Sequence, residues 1–251
     1  MVHSFFCKFK NKQFSKGITF TLLTLCFVQF QINAQTTDLL ISEYGEGGGN
    51  NKFVEIYNGT GAPVNLANYE SWRISNGGAW PEATISLAGM LANGAVHVVS
   101  NNAASAAILA ETDVATGTAS WSGDDAVGLA KDIAGTFTLI DAVGTNGADP
   151  GAGWNVAGTT NGTATHTIIR KPNICSPNTN WVASAGTTIA NSEWTVFATD
   201  YIGDLGSHTN TCVPCVLSME PTVNSNTLVS SSIDCNLATI SLNNGNGTNR
   251  I

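Results

Sequence analysis

Between Asp38 and Tyr69 the chain reads DLLISEYGEGGGNNKFVEIYNGTGAPVNLANY, two short apolar runs set around a cluster of Gly and Asn. Leu39, Leu40 and Ile41 begin one candidate strand, and Phe53 to Tyr57 make the other. Gly45, Gly47, Gly48, Gly49, Asn50 and Asn51 tolerate positive φ, which a tight or bulged hairpin connection demands. In the second run, alternation puts Phe53, Glu55 and Tyr57 on one face and Val54 and Ile56 on the other. Glu55 therefore stands among aromatic residues and needs a partner, and Lys52 or Arg73 is the nearest in type.

Ahead of the hairpin, Lys8, Lys10, Lys12 and Lys16 precede an apolar run from Ile18 to Phe30, followed by Ile32-Asn33-Ala34. Basic, then apolar, then small is the order of a secretory signal peptide, with cleavage expected after Ala34. The apolar run is short for a membrane core of roughly 30 Å and is diluted by Thr19, Thr21 and Thr24. Cys26 follows Leu25 within that run, which disfavours lipidation. No later segment is apolar enough to span a membrane.

Without residues 1–34 the chain keeps six basic against eighteen acidic groups, a net charge of −12. Nucleic-acid binding runs on phosphate neutralisation by Lys and Arg, so direct binding of DNA or RNA is disfavoured. Four cysteines remain, Cys175, Cys212, Cys215 and Cys235, and an even number in an exported chain reads first as disulfides. Cys212-Val-Pro-Cys215 has zinc-knuckle spacing but lacks a second pair at matching spacing. The expected pairs are Cys175 with Cys212 and Cys215 with Cys235.

Nine strands are expected: Leu39 to Ser42, Phe53 to Tyr57, Trp72 to Ser75, Thr84 to Leu87, Ala95 to Ser100, Ala126 to Ala130, Thr138 to Val143, His166 to Arg170 and Trp194 to Phe197. Asn58-Gly59, Asn76-Gly77-Gly78, Asn93-Gly94, Asn146-Gly147 and Asn161-Gly162 punctuate them as turns. Short strands at such spacing indicate an all-β sandwich or barrel. Ala103 to Glu111 is expected to hold at most two helical turns. From Asn210 the texture turns Ser- and Asn-rich, read as a linker and the start of a second module or a disordered tail over 210–251.

ISEYGEGGGNNKFVEIYN, APVNLANY, Trp121-Ser-Gly-Asp-Asp-Ala126, Glu193-Trp194 and Leu205-Gly-Ser-His208, in that order, resemble the lamin tail domain family in its bacterial, secreted form. The resemblance covers roughly residues 36 to 209. It implies an immunoglobulin-like β-sandwich over 35–209, usually without catalytic activity and placed beside other extracellular domains. Many bacterial relatives accompany secreted nucleases, phosphoesterases or surface proteins.

Chemical motifs are sparse. His97, His166 and His208 are far apart in sequence, and the chain has no metal-binding His-Glu-x-x-His, Gly-x-Ser-x-Gly elbow or phosphate loop. Glu43 and Glu46, with Asn50 and Asn51, form one acidic turn that could hold calcium, and Asp124 with Asp125 forms another. Asp in such a turn also bonds its own backbone, which is the favoured reading. Trp80 and Trp154 are the candidate exposed platforms for sugar rings.

These features lead to a secreted or cell-surface, non-catalytic module that anchors, spaces or binds within a larger extracellular protein, its partner a surface or extracellular polymer or protein. Two alternatives stand beside it: the accessory domain of an extracellular nuclease or phosphoesterase whose catalytic part lies beyond residue 251, and a glycan-binding module. No catalytic residue and no cofactor other than calcium is assigned.

Overall fold

The structure, a computed structural model, describes residues 35–212 and two short strands near the C-terminus. The expected signal peptide and the Cys215 to Cys235 pairing lie outside the described residues.

The first hairpin forms as its sequence demands, with a longer first strand. β1 (Leu40–Glu46) runs through Gly45 to Glu46, and β2 (Lys52–Tyr57) returns antiparallel to it. Gly45 lies inside the strand rather than in the turn because the Phe53 ring rests on it; a Cβ there would come within 2.3 Å of the ring. Gly49, at φ +58°, supplies the left-handed turn residue.

Six strands follow: β3 (Val64–Asn65), β4 (Tyr69–Ile74), β5 (Ala83–Ser86), β6 (Met90–Leu91), β7 (Val96–Ser100) and β8 (Val114–Ala115). A short helix α1 (Ala106–Ala110) sits between β7 and β8, its Ile108 N–H bonded to the Ser105 hydroxyl at the cap. β9 (Ala126–Ile133), β10 (Thr136–Val143), β11 (His166–Arg170), α2 (Trp181–Ala185) and β12 (Trp194–Phe197) complete the domain. All nine expected strands are present, β11 and β12 with the expected ends and the others with shifted ones. The three extra strands have two residues each, too short to show alternation. α2 was not expected, because Trp-Val-Ala-Ser-Ala carries no helical period; the Asn180 side chain caps it by accepting from Ala183 N–H at 3.2 Å.

Two antiparallel-rich sheets pack face to face as an immunoglobulin-like sandwich. The larger has the order β12-β11-β1-β2-β7-β8 and the smaller β10-β9-β4-β5. Ile41, Tyr44, Val54, Ile56, Val99 and Ile168 of the first meet Tyr69, Ile85, Val127, Leu129 and Val143 of the second. Burying a side chain of this size contributes about 1.5–3 kcal/mol, so this alternation drives the fold. β13 (Leu242–Asn243) and β14 (Asn249–Arg250) pair antiparallel in the segment read as linker or second module.

Bulges set the faces of the two sheets. The β1–β2 register shifts between Ile41 and Glu43, leaving Ser42 unpaired. That extra residue lets Ile41 and Tyr44 share the inner face while Glu43 turns outward. β10 shifts likewise between Leu139 and Asp141. Asp141, which the shift sets opposite Leu129, accepts from Ile41 N–H at 2.8 Å, Asn178 N–H at 3.0 Å and both terminal nitrogens of Arg170 at 2.9 and 3.0 Å. This ion pair is fully buried and joins β10 of one sheet to β11 of the other. The Arg170 guanidinium also lies 4.4 Å from the Trp194 ring.

Candidate functional site

Register places Glu43 directly opposite Glu55 across β1 and β2, and directly opposed residues share a face. Theirs is the outer face of the large sheet, each residue only 1% exposed. Beside them Phe53, Val98, Ala104, Ile108 and Leu205 form a second apolar cluster, with Ile202 packed against it.

What buries the two glutamates is the segment after β12. Residues 198–212 cross the outer face as a strap. Near its start the Asp200 carboxylate accepts from Gly48 N–H at 3.0 Å and the Asn51 amide at 2.9 Å, and the Thr167 hydroxyl donates to Tyr201 O at 2.9 Å. In its middle Gly206 N–H donates to Glu55 Oε2 at 2.8 Å, and His208 packs edge-on to Tyr57 at 4.9 Å. At its end Thr211 N–H donates to Pro172 O at 2.8 Å, and a disulfide joins Cys212 to Cys175 with Cα atoms 5.6 Å apart. The expected first pairing of the cysteines is thus present.

Glu55 is not paired with Lys52 or Arg73 as its sequence context suggested. Lys52 is drawn to Glu46 and Gly47 O, and Arg73 donates to the Ser75 hydroxyl at 2.7 Å, because each reaches a closer acceptor on its own strand or turn. Glu55 instead accepts from the Ser42 hydroxyl at 2.6 Å and from Gly206 N–H. Burial pushes its carboxyl up to about 7, against those two hydrogen bonds. Glu43 has no such help: burial, then the charges of Glu55 and Asp204, push it up to about 9. Asp204 of the strap is also raised, by burial. Burial, reinforced by the Arg170 charge, pushes His208 down to about 4.

Among the described residues seven buried side-chain nitrogen or oxygen atoms lack a hydrogen-bond partner. Four belong here: both oxygens of Glu43, Asp204 Oδ1 and His208 Nε2. Orphaned buried polar atoms are rare in folded proteins, so their concentration under one strap singles this layer out. Next to it is a pocket of ≈ 320 Å³ lined by Arg170, Thr195, Phe197, Tyr201, Asp204 and His208. The Phe197 and Tyr201 rings stack at 4.3 Å on its wall.

The other sequence candidates fall elsewhere. Glu46 bonds Lys52 and Thr165 N–H, and Asn51 reaches Asp200 and Ser105 N–H. Asp124 accepts from the Ser122 hydroxyl at 2.6 Å, and Asp125 from Ser122 N–H at 2.8 Å and Asn76 N–H at 3.0 Å. Glu46, Asp124 and Asp125 are thus engaged within the fold, Glu43 lies unpartnered beneath the strap, and among the described residues no three His, Cys, Asp or Glu are grouped to hold a metal ion. His97, lowered by burial against the pull of Asp113, stands 3.5 Å from that carboxylate. His166 bonds Ala164 O.

Trp154 is half-buried, packed against the core and edge-on to Trp181 at 6.4 Å. Trp80 is half-buried on the outer face of the small sheet, 6.4 Å from Trp72 and lying over Gly128. The strap layer escaped sequence reasoning because its members come from four distant segments. One signal for it was present: two glutamates at the centres of apolar strands without a nearby free cation.

Residues 33–147 match the family of the Lamin Tail Domain. No curated protein and no solved structure matches the chain.

Proposed function

The chain carries, over residues 33–147, a member of the lamin tail domain family, and from that premise we propose that it works as a secreted, non-catalytic β-sandwich module that holds or spaces parts of an extracellular assembly. The observation that carries this reading is how the domain spends its charged groups. Arg170 is committed to Asp141, Lys52 to Glu46 and Lys131 to Asp38, each a contact within the fold. Catalysis needs groups aimed at a substrate position, with a base and its orienting partner in reach of one another. Here the strongest polar constellations join sheet to sheet and strap to sheet, as suits a rigid spacer.

Export is supported by the basic, apolar, small order of residues 8–34 and by the disulfide between Cys175 and Cys212. Among the described residues no helix is long and apolar enough to cross a membrane. Fractionation of cells expressing the full chain, with mass spectrometry of its mature N-terminus, tests the reading. The expected product begins at Gln35 and is found outside the cytoplasmic membrane; retention in the cytoplasm with residues 1–34 intact contradicts it.

Glycan binding is a second reading, favoured by the placement of Trp80. Its ring lies on Gly128, a position where a Cβ would come within 3.2 Å of it, so glycine lets the indole lie against the sheet. A shift of tryptophan fluorescence on adding polysaccharide, abolished in Trp80→Ala, supports that reading.

A further inference from the structure

We propose that residues 198–212 form a proton-operated latch, closed over Glu43, Glu55 and Asp204 while these carboxyls hold a proton and released as they ionise.

Glu43 and Glu55 stand opposite each other on β1 and β2, Asp204 of the strap is near enough for its charge to act on both, and the nearest cations are taken. Arg170 is held by both oxygens of Asp141, and Lys52 by Glu46. A dry cluster of three carboxylates without a counter-ion cannot persist, so either protons stay on it or the cover leaves. Glu55 is the member equipped to carry charge, since Ser42 and the strap's own Gly206 N–H donate to it. Glu43, with both oxygens unpartnered, is the member that must stay neutral for the strap to stay shut.

Other titratable groups face the same layer. His208 of the strap is buried neutral, so it cannot offset carboxylate charge. Past the end of α1 the Glu111 carboxylate abuts Gly206, where an added Cβ would come within 2.4 Å of its Oε2. Asp113 next to β8 is spent on His97 and on Val98 N–H. Ionisation of Glu43 therefore adds negative charge beside the acidic side chains of Glu111 and Asp204.

The strap's two ends are held independently of Glu43. The strap is fastened at one end by Asp200 on the β1–β2 turn and at the other by the Cys175–Cys212 disulfide. Between those points the Gly206 N–H to Glu55 bond ties it to the sheet beneath, with Ile202 and Leu205 as apolar contacts. Release would send the proton to solvent and uncover the Glu43–Glu55 row while leaving both ends attached.

Hydrogen exchange of the full chain, corrected for intrinsic rates, tests this. Burial beneath the closed strap, then the charges of Glu55 and Asp204, push Glu43 from the ordinary 4.5 up to about 9. Closure thus favours the protonated form, and opening should rise about tenfold per pH unit inside that range. Between pH 7 and 8.5 amides of 202–209 should lose protection at about that rate, while β2 and β11 keep theirs. In Glu43→Gln, which mimics the protonated acid, protection above pH 7 should be flat.

Protection that does not change with pH, or a Glu43→Gln profile as steep as the parent's, overturns the latch. Restoration of protection at pH 8.5 by millimolar calcium also overturns it, by making the trio a cation site. Should Glu43→Gln not fold, carboxyl carbon-13 titration of the parent decides: a Glu43 midpoint near the ordinary value refutes the proposal, and one several units higher upholds it.

Discussion

Asp141 to alanine is the perturbation whose consequence the structure fixes most closely. Its carboxylate receives two guanidinium nitrogens of Arg170 and the N–H groups of Ile41 and Asn178, all within 3.0 Å, and both partners of the ion pair are fully buried. Burial alone raises the Asp141 carboxyl, and Arg170 with the two N–H groups opposes that rise. Truncation leaves a dry guanidinium and three unpaired amides, that of Ala142 included. Removing one partner of a buried pair costs about 3–5 kcal/mol, set against a total stability of about 5–15 kcal/mol for a domain. At about 3 °C per kcal/mol for a domain of this size, Asp141→Ala should lower Tm by roughly 12 °C, read by calorimetry or urea unfolding. The double variant Asp141→Leu with Arg170→Met should recover much of the loss, because an apolar pair has no stranded charge. A single variant within about 1 kcal/mol of the parent would refute the view that this pair joins the sheets.

Three further outcomes are expected. Cys175→Ser opens a loop of sequence separation 37, and by chain entropy should cost about 4 kcal/mol, lowering Tm by about 12 °C without abolishing the fold; non-reducing peptide mapping of the parent should show Cys175 joined to Cys212. Glu43 has its folded value raised, so its penalty grows as pH climbs from 4.5 towards about 9, whereas His208 has its value lowered to about 4 and penalises the fold as pH falls from 6.5. Glu43→Gln should therefore exceed the parent's Tm at pH 8 by as much as about 14 °C, with the gap closing near pH 4.5, and His208→Asn should flatten the acid side in the same melting series. Gly128→Val should displace the Trp80 ring, visible as a shifted emission maximum, since its Cβ would also come within 2.5 Å of Leu139 Cδ1.

The strands were legible because their faces alternate over four or more residues and their turns carry Asn-Gly or Gly-Gly pairs. The alternation of Phe53, Glu55 and Tyr57 against Val54 and Ile56 survives in the two apolar clusters on either side of the large sheet. The two bulges were not legible: Ser42 and Ile140 look like ordinary members of their runs, and only pairing with a partner strand reveals the extra residue. Asp141 sits in an apolar strand, which announced a need for a partner, yet Arg170 lies 29 residues away and no local spacing links them. The strap was invisible for the same reason, its turns being set by contacts to β1 and β2 rather than by a period of its own. Trp154, expected as an exposed platform, instead packs its ring against the core.

The central claim is that this domain binds or spaces and does not turn over substrate. Purified full-length chain incubated with nucleic acid, phosphoesters and polysaccharides tests it most directly, with product followed by mass spectrometry. The account predicts no product above the buffer blank for any substrate. Turnover that persists through purification to homogeneity and disappears in His208→Ala, with the fold intact by circular dichroism, would contradict it.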